Sequence, residues 1–208
     1  MTNLVCTVLF TTFLGLASLS QAATTRGTIV VFGDSLSAGY GLDDPIALSF
    51  PGLLQEKIDA ANLGYRVVNA GLSGETSAGG LRRIDWILRQ PIDIFILELG
   101  GNDGLRGLPV ETLRDNLRRI LDKVRAKNPE TKIVIAGMQM PRSMGGYAQE
   151  FEAVFPALAD EYDATLIPFL LDGVGGVAEM NLPDGVHPTA AGHARLAETV
   201  WEHLRPLL

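Results

Sequence analysis

From residue 28 onward the chain alternates short β-branched runs with stretches whose apolar residues recur at helical spacing, and few folds accommodate that alternation. The run Thr28-Ile-Val-Val-Phe32, closed by Gly33, reads as a buried strand. Further strands are predicted over 65–68, 92–97, 132–136 and 165–167. Helices are predicted over 50–61, 76–89, 110–127, 148–162 and 190–204. In 110–127 the apolar positions Leu113, Leu117, Ile120, Leu121 and Val124 form one stripe. In 148–162 Phe151, Val154, Phe155, Leu158 and Tyr162 do the same. The expected fold class is therefore α/β, three layers in the order α/β/α, around a five-stranded, mostly parallel sheet covered on both faces. No repeat and no break in composition follows Ala23, so 23–208 reads as a single domain.

Residues 1–22 are a different kind of sequence. They contain no Asp, Glu, Lys or Arg, and they end on Ser20-Gln21-Ala22, small-polar-small. The apolar run is short for a membrane span of ~20 residues. It is expected to be a signal peptide cleaved after residue 22, giving an exported protein, periplasmic or secreted, with no span left after cleavage. Cys6 is the only cysteine and would leave with the leader. The mature chain would then have no disulfide, no cysteine nucleophile and no thiolate metal ligand.

Of the chain's 208 residues, 24 are acidic and 17 basic, for a net charge of −7, and 47% are hydrophobic. So apolar a chain is not disordered. Basic residues that are outnumbered and scattered along the sequence argue against nucleic acid as a partner. Arg82-Arg83 lies in a helical pattern and is expected on a solvated face.

In a parallel α/β sheet, chemistry gathers at the carboxyl ends of the strands. Four strand ends here lead into polar, glycine-containing segments: Gly33-Asp34-Ser35-Leu36-Ser37; 69–76, which includes Ser73-Gly74-Glu75-Thr76; Gly100-Gly101-Asn102-Asp103; and Asp184-Gly185-Val186-His187-Pro188. Together they supply a nucleophile, a base, a carboxylate to orient that base, and hydrogen-bond donors. In order and spacing these blocks resemble those of the GDSL, or SGNH, hydrolases, and particularly the bacterial acyl-CoA thioesterase/lysophospholipase/arylesterase group. The resemblance runs from about Gly27 to the C-terminus. It implies a flavodoxin-like SGNH fold and a serine esterase/thioesterase acting on aryl esters, acyl thioesters and lysophospholipids.

By the same resemblance Ser35 matches the nucleophile, His187 the general base and Asp184 the carboxylate that fixes the imidazole tautomer. The oxyanion donors would be the backbone N–H of Ser35, the N–H of Gly74 and the side chain of Asn102. Gly71 competes with Gly74, and alignment on Ser-Gly-Glu-Thr favours Gly74. Asp34, Glu98 and Asp103 stand beside these positions and are expected to orient loops. His193 and His203 fall inside the closing helix and are expected to pack or face solvent.

The run 173–178 formally fits a dinucleotide fingerprint, but it follows the last strand, where no βαβ unit remains. No Gly-x-Ser-x-Gly elbow surrounds Ser35. No metal and no cofactor are expected, since three histidines without paired spacing make a poor site. The segment 137–147 is left as a free flap whose Met138, Met140, Met144 and Tyr147 are candidate acyl contacts. The expected partner is a small acyl ester or thioester, bound by a monomer. Two other readings stay open: a carbohydrate O-deacetylase of the same family, and a non-catalytic flavodoxin-like binding module.

Overall fold

The computed structural model describes residues 27–208, so the leader and its cleavage site lie outside the described residues. The chain opens with β1 (Gly27–Gly33) and two short helices, α1 (Ser35–Ala38) and α2 (Pro45–Leu48), followed by α3 (Phe50–Ala60). Next come β2 (Tyr65–Asn69), α4 (Ser77–Ile87), β3 (Ile94–Glu98), α5 (Gly101–Leu105) and α6 (Val110–Lys127). The last third holds β4 (Lys132–Ala136), α7 (Gly146–Glu152), α8 (Val154–Tyr162), β5 (Thr165–Ile167) and α9 (Ala190–Leu204).

The five strands form one sheet in the order β2-β1-β3-β4-β5, with every pairing parallel. Ile29, Val30, Val31 and Phe32 of β1 are wholly buried, and all five residues of β3 are buried. A strand covered on both faces is apolar along most of its length, which is why 29–32 and 94–97 read as unbroken hydrophobic runs, with the buried Glu98 following at the end of β3. Helix α3 packs on α9, while α4, α6 and α8 lie side by side in a second group. Because β1 sits between β2 and β3, the chain leaves β1 toward one edge and returns across it to β3. That reversal opens a crevice above the carboxyl ends of β1 and β3. Ser35 follows β1 and Asn102 follows β3, so both stand at this crevice.

Three expectations need correction. The helix predicted over 148–162 is two helices meeting at Ala153. Pro156 has no N–H to give the carbonyl four residues earlier, so the hydrogen-bond ladder breaks there. The segment after β3 is not a loop: Gly101–Leu105 is a helical turn, too short to show a period in sequence. Arg82 is exposed as expected, but Arg83 is only partly so. Its guanidinium lies 4.1 Å from the Phe32 ring centroid, donates to the Gly33 carbonyl at 3.2 Å, and pairs with the buried Glu75. The Gly79-Gly80 pair lies in the first turns of α4, and a Cβ on Gly80 would be 2.5 Å from Leu99 Cδ1 and 3.1 Å from Phe32 Cε1. Those glycines let α4 approach the sheet.

Candidate active site

Ser35 is the first residue of α1, at the turn where β1 ends. Three groups hold this turn. Asp34 caps it, its Oδ1 accepting from Leu36 N at 3.0 Å. Glu98, at the end of β3, accepts through Oε2 from the N–H groups of Asp34 (3.1 Å) and Ser37 (3.2 Å) and from Ser37 Oγ (2.6 Å). Asn69, at the end of β2, donates from Nδ2 to the Ser37 carbonyl at 2.7 Å. The nucleophile turn is thus tied to both strands flanking β1.

His187 belongs to a closed loop. The Leu182 N–H donates to the His187 carbonyl at 2.7 Å, and Gly185, at φ +68, donates back to Leu182 at 2.9 Å. At the base of this loop, Asn181 Nδ2 donates to the carbonyls of Val174 (2.6 Å) and Val177 (2.8 Å). Within it, Asp184 Oδ1 accepts from Val186 N (2.9 Å) and His187 N (3.0 Å), which leaves Oδ2 for the ring. His187 Nδ1 lies 2.7 Å from Asp184 Oδ2, and its Nε2 lies 3.0 Å from Ser35 Oγ. With Nδ1–H donating to the carboxylate, Nε2 is left free to accept the serine proton. These hydrogen bonds, first the backbone N–H of His187 and then its ring, pull Asp184 down to about 2, so it stays ionised although its side chain is 42% exposed. Tyr40 covers one face of the imidazole, with ring centroids 4.5 Å apart.

Asn102 Nδ2 donates to Asp34 Oδ2 at 3.0 Å, and its second amide hydrogen remains for a ligand. Burial pushes Asp34 up to about 6, against the pull of the Leu36 N–H and the Asn102 amide. Burial, reinforced by the Asp34 charge, also raises Glu98 well above the carboxylate range. Asp103 points the other way, accepting from Ser77 N (2.8 Å) and Ser77 Oγ (2.6 Å) and so fixing the start of α4 to α5. Of the two candidate glycines, Gly71 already donates its N–H to Asn69 Oδ1 at 2.9 Å. Gly74 is exposed at φ +78, and its carbonyl accepts from Arg106 Nη2 at 2.9 Å.

A cavity of about 450 Å³ opens over Ser35, His187 and Asn102. Met138 and Met140 line it together with Leu105, Phe169, Leu171 and Val186. Gly175 and Gly176, from the run that formally fitted a dinucleotide fingerprint, form another stretch of wall. Met144, Tyr147 and Gly74 are not among its lining residues. Tyr147 instead packs against Phe151 and donates its hydroxyl to the Leu108 carbonyl at 2.8 Å. Tyr40, Leu105, Phe169 and Val186 carried no signal in the sequence, because each is an apolar residue in a loop or a single short turn. The other two histidines lie elsewhere in function. His193 is buried, accepts at Nδ1 from Phe50 N at 3.3 Å, and is lowered to about 4 by burial. His203 Nδ1 donates to the Thr199 carbonyl at 2.8 Å.

The model of the GDSL-like Lipase/Acylhydrolase family matches residues 31–195. The chain is 43% identical over 197 residues to the esterase TesA of Pseudomonas aeruginosa, across 94% of this chain and 96% of that one. It is 37% identical over 198 residues to the thioesterase 1/protease 1/lysophospholipase L1 of Escherichia coli K12, across 94% and 92% of the two chains. A crystal structure of TesA superposes with a TM-score of 0.82 at 43% identity, over 87% of this chain and 99% of that one.

Proposed function

This chain belongs to the GDSL-like lipase/acylhydrolase family, and on that premise we propose that Ser35, His187 and Asp184 work as its catalytic triad. It is a serine hydrolase of the esterase and thioesterase type. The observation that carries the assignment is the line from Asp184 Oδ2 through the His187 ring to Ser35 Oγ, with spacings of 2.7 and 3.0 Å.

In the proposed mechanism Ser35 Oγ attacks the acyl carbonyl while its proton passes to His187 Nε2, and Asp184 stabilises the imidazolium. The oxyanion is held by the N–H of Ser35, the free amide hydrogen of Asn102 and the N–H of Gly74. His187 then protonates the departing alcohol or thiol. A water molecule, deprotonated by the same imidazole, releases the acid from the acyl-enzyme. Asp34 holds the Asn102 amide with its NH₂ toward the site, because a carboxylate accepts and never donates.

The apolar cavity lining supports acyl chains longer than acetyl, and so favours an acyl esterase and thioesterase over a carbohydrate O-deacetylase. Single-chain substrates, namely aryl and alkyl esters, acyl thioesters and lysophospholipids, are the proposed class. Comparing an octanoyl aryl ester, an octanoyl thioester and an acetylated xylo-oligosaccharide in one assay tests this. Preferential release of acetate from the sugar would overturn it. For location we propose export with cleavage after Ala22, supported by the uncharged apolar leader. Among the described residues no helix is long and apolar enough to cross a membrane. Intact mass of the exported protein decides the cleavage: a mature species that still carries Cys6 would refute it.

A further inference from the structure

The basic residues, scattered in sequence, are gathered in space. The segments 77–89 and 110–127 hold nine of the chain's 17 basic residues and only four of its 24 acidic ones, so they are net positive in a protein of net charge −7. These segments are α4 with the turn that follows it, and α6, and the two helices pack side by side. Lys123 Nζ joins them, 2.8 Å from both carboxylate oxygens of Asp85. Arg82 and Trp86 follow one another at helical spacing on the outer side of α4, Arg89 lies just beyond its C-terminal end, and Arg119, Lys123 and Lys127 recur at helical spacing on α6. Arg89, Lys123 and Lys127 line one surface groove between the helices. Arg82, Arg89, Arg119 and Lys127 are exposed and form no ion pair among the described residues. Trp86, in their midst, is 66% exposed, whereas the other tryptophan, Trp201, packs against the core.

We propose that this face docks the enzyme on the surface of a bilayer containing anionic phospholipid. Two neighbouring helices present a broad surface rather than a cleft, and its chemistry matches the headgroup layer. Cations meet lipid phosphates, and an indole settles at the boundary between headgroup and acyl chain. A protein partner would need an apolar centre of many side chains, and this face offers one large apolar residue in a ring of charges. No residue of α4 or α6 lines the catalytic cavity, so a docked enzyme keeps its active-site mouth clear of the contact. Docking would hold it beside the bilayer from which single-chain lipids are released.

The test is co-sedimentation of the purified protein with vesicles of phosphatidylcholine alone or mixed with phosphatidylglycerol. Binding is expected only to the mixed vesicles, to weaken as salt is raised, and to shift the tryptophan emission to the blue. Each basic residue near an anionic leaflet strengthens binding about fivefold. Arg89→Glu with Lys127→Glu should therefore weaken it roughly 25-fold or more while hydrolysis of a soluble butyryl aryl ester is unchanged. Trp86→Phe should abolish the emission shift. Equal binding to both vesicle types, binding insensitive to the charge reversals, a shift surviving in Trp86→Phe, or equally strong binding of duplex DNA at the same salt would each overturn the proposal. If the reversed variant is poorly folded, Arg82→Gln with Arg119→Gln provides the same comparison.

Discussion

Asp34 Oδ2 accepts a hydrogen bond from Asn102 Nδ2 at 3.0 Å, joining the residue before the proposed nucleophile to the proposed oxyanion donor. Asp34 is buried, and its position costs stability. Its folded value, raised by burial to about 6, exceeds the ordinary carboxylate value of 3.8. The folded protein thus holds this proton more tightly than the unfolded chain, and stability falls as pH rises from 3.8 through about 6. A neutral isostere should reverse that. Asp34→Asn is expected to make stability less dependent on pH, with a gain at pH 7.5 smaller than the about 3 kcal/mol that the raised value corresponds to, because one of the two hydrogen bonds accepted by Asp34 is lost. It should lower kcat roughly tenfold, because the single oxygen of an amide cannot accept from both Leu36 N and the Asn102 amide, so the hold on Asn102 is lost. In an Asn102→Ala background the same substitution should leave kcat unchanged. Chemical denaturation at two pH values and a kinetic double-mutant cycle check both halves. An undiminished kcat effect without Asn102 would show that Asp34 acts by another route.

Removing a single oxyanion donor typically costs ~10²–10³ in turnover. Asn102→Ala is expected to lose kcat in that range with little change in KM, since the charge it meets develops in the transition state. Ser35→Ala should abolish turnover with folding unchanged, and a fluorophosphonate should label Ser35 in the unsubstituted enzyme only. His187→Ala should be more damaging than Asn102→Ala. A rise confined to KM in Asn102→Ala would make Asn102 a ground-state contact.

Sequence reading recovered the features that repeat or alternate. The helix at 110–127 has the bounds read from its apolar stripe, because one face over five turns is buried against the sheet. Three of the four polar blocks were legible because each interrupts an apolar run at a strand end, whereas 184–188 lies in the loop between β5 and α9. Elements shorter than two turns were not legible: Pro45–Leu48 and Gly101–Leu105 contain no full period. Nor was the surrounding of Arg83, which is made by Phe32, Gly33 and Glu75 from two other segments of the chain. The basic excess of segments 77–89 and 110–127 can be counted in the sequence, but 20 residues separate them and only the packing of α4 on α6 makes them one face.

Glu98 offers a separate test of how the nucleophile turn is held. Burial and the Asp34 charge raise its carboxyl well above the ordinary range. Glu98→Gln keeps the acceptor facing Asp34 N, Ser37 N and Ser37 Oγ, and its amide occupies the position of Oε1, which lacks a protein partner already. It should therefore change kcat and thermal midpoint little. Glu98→Ala strips three buried donors of their acceptor and should cost about 2–4 kcal/mol of stability, with reduced fluorophosphonate labelling of Ser35. Comparable damage from both variants in a thermal melt would mean that the charge of Glu98, and not its shape, is what the turn requires.

Chain-length preference is expected to follow the apolar lining of the cavity. Met138 and Met140 line the cavity together with Leu105, Phe169, Leu171 and Val186, and Met140 is only partly buried. A methionine adapts to chains of different length, so the preference of the unsubstituted enzyme should be broad. Each methylene of acyl chain that finds apolar contact contributes ~0.8 kcal/mol, or about fourfold in kcat/KM. Met140→Trp would fill the outer part of the cavity. It should cut kcat/KM for an octanoyl ester by roughly ten- to fiftyfold relative to a butyryl ester, which reaches less far. Among the described residues, one 3₁₀ turn, Arg142–Met144, is the only regular structure between β4 and α7, so that segment supplies no helix long enough to cover the cavity. Rates of the unsubstituted enzyme should therefore rise smoothly with substrate concentration through the critical micelle concentration. A jump at that point would reveal a segment that must be displaced before substrate enters, and an equal loss on both esters in Met140→Trp would place the acyl chain along a different wall.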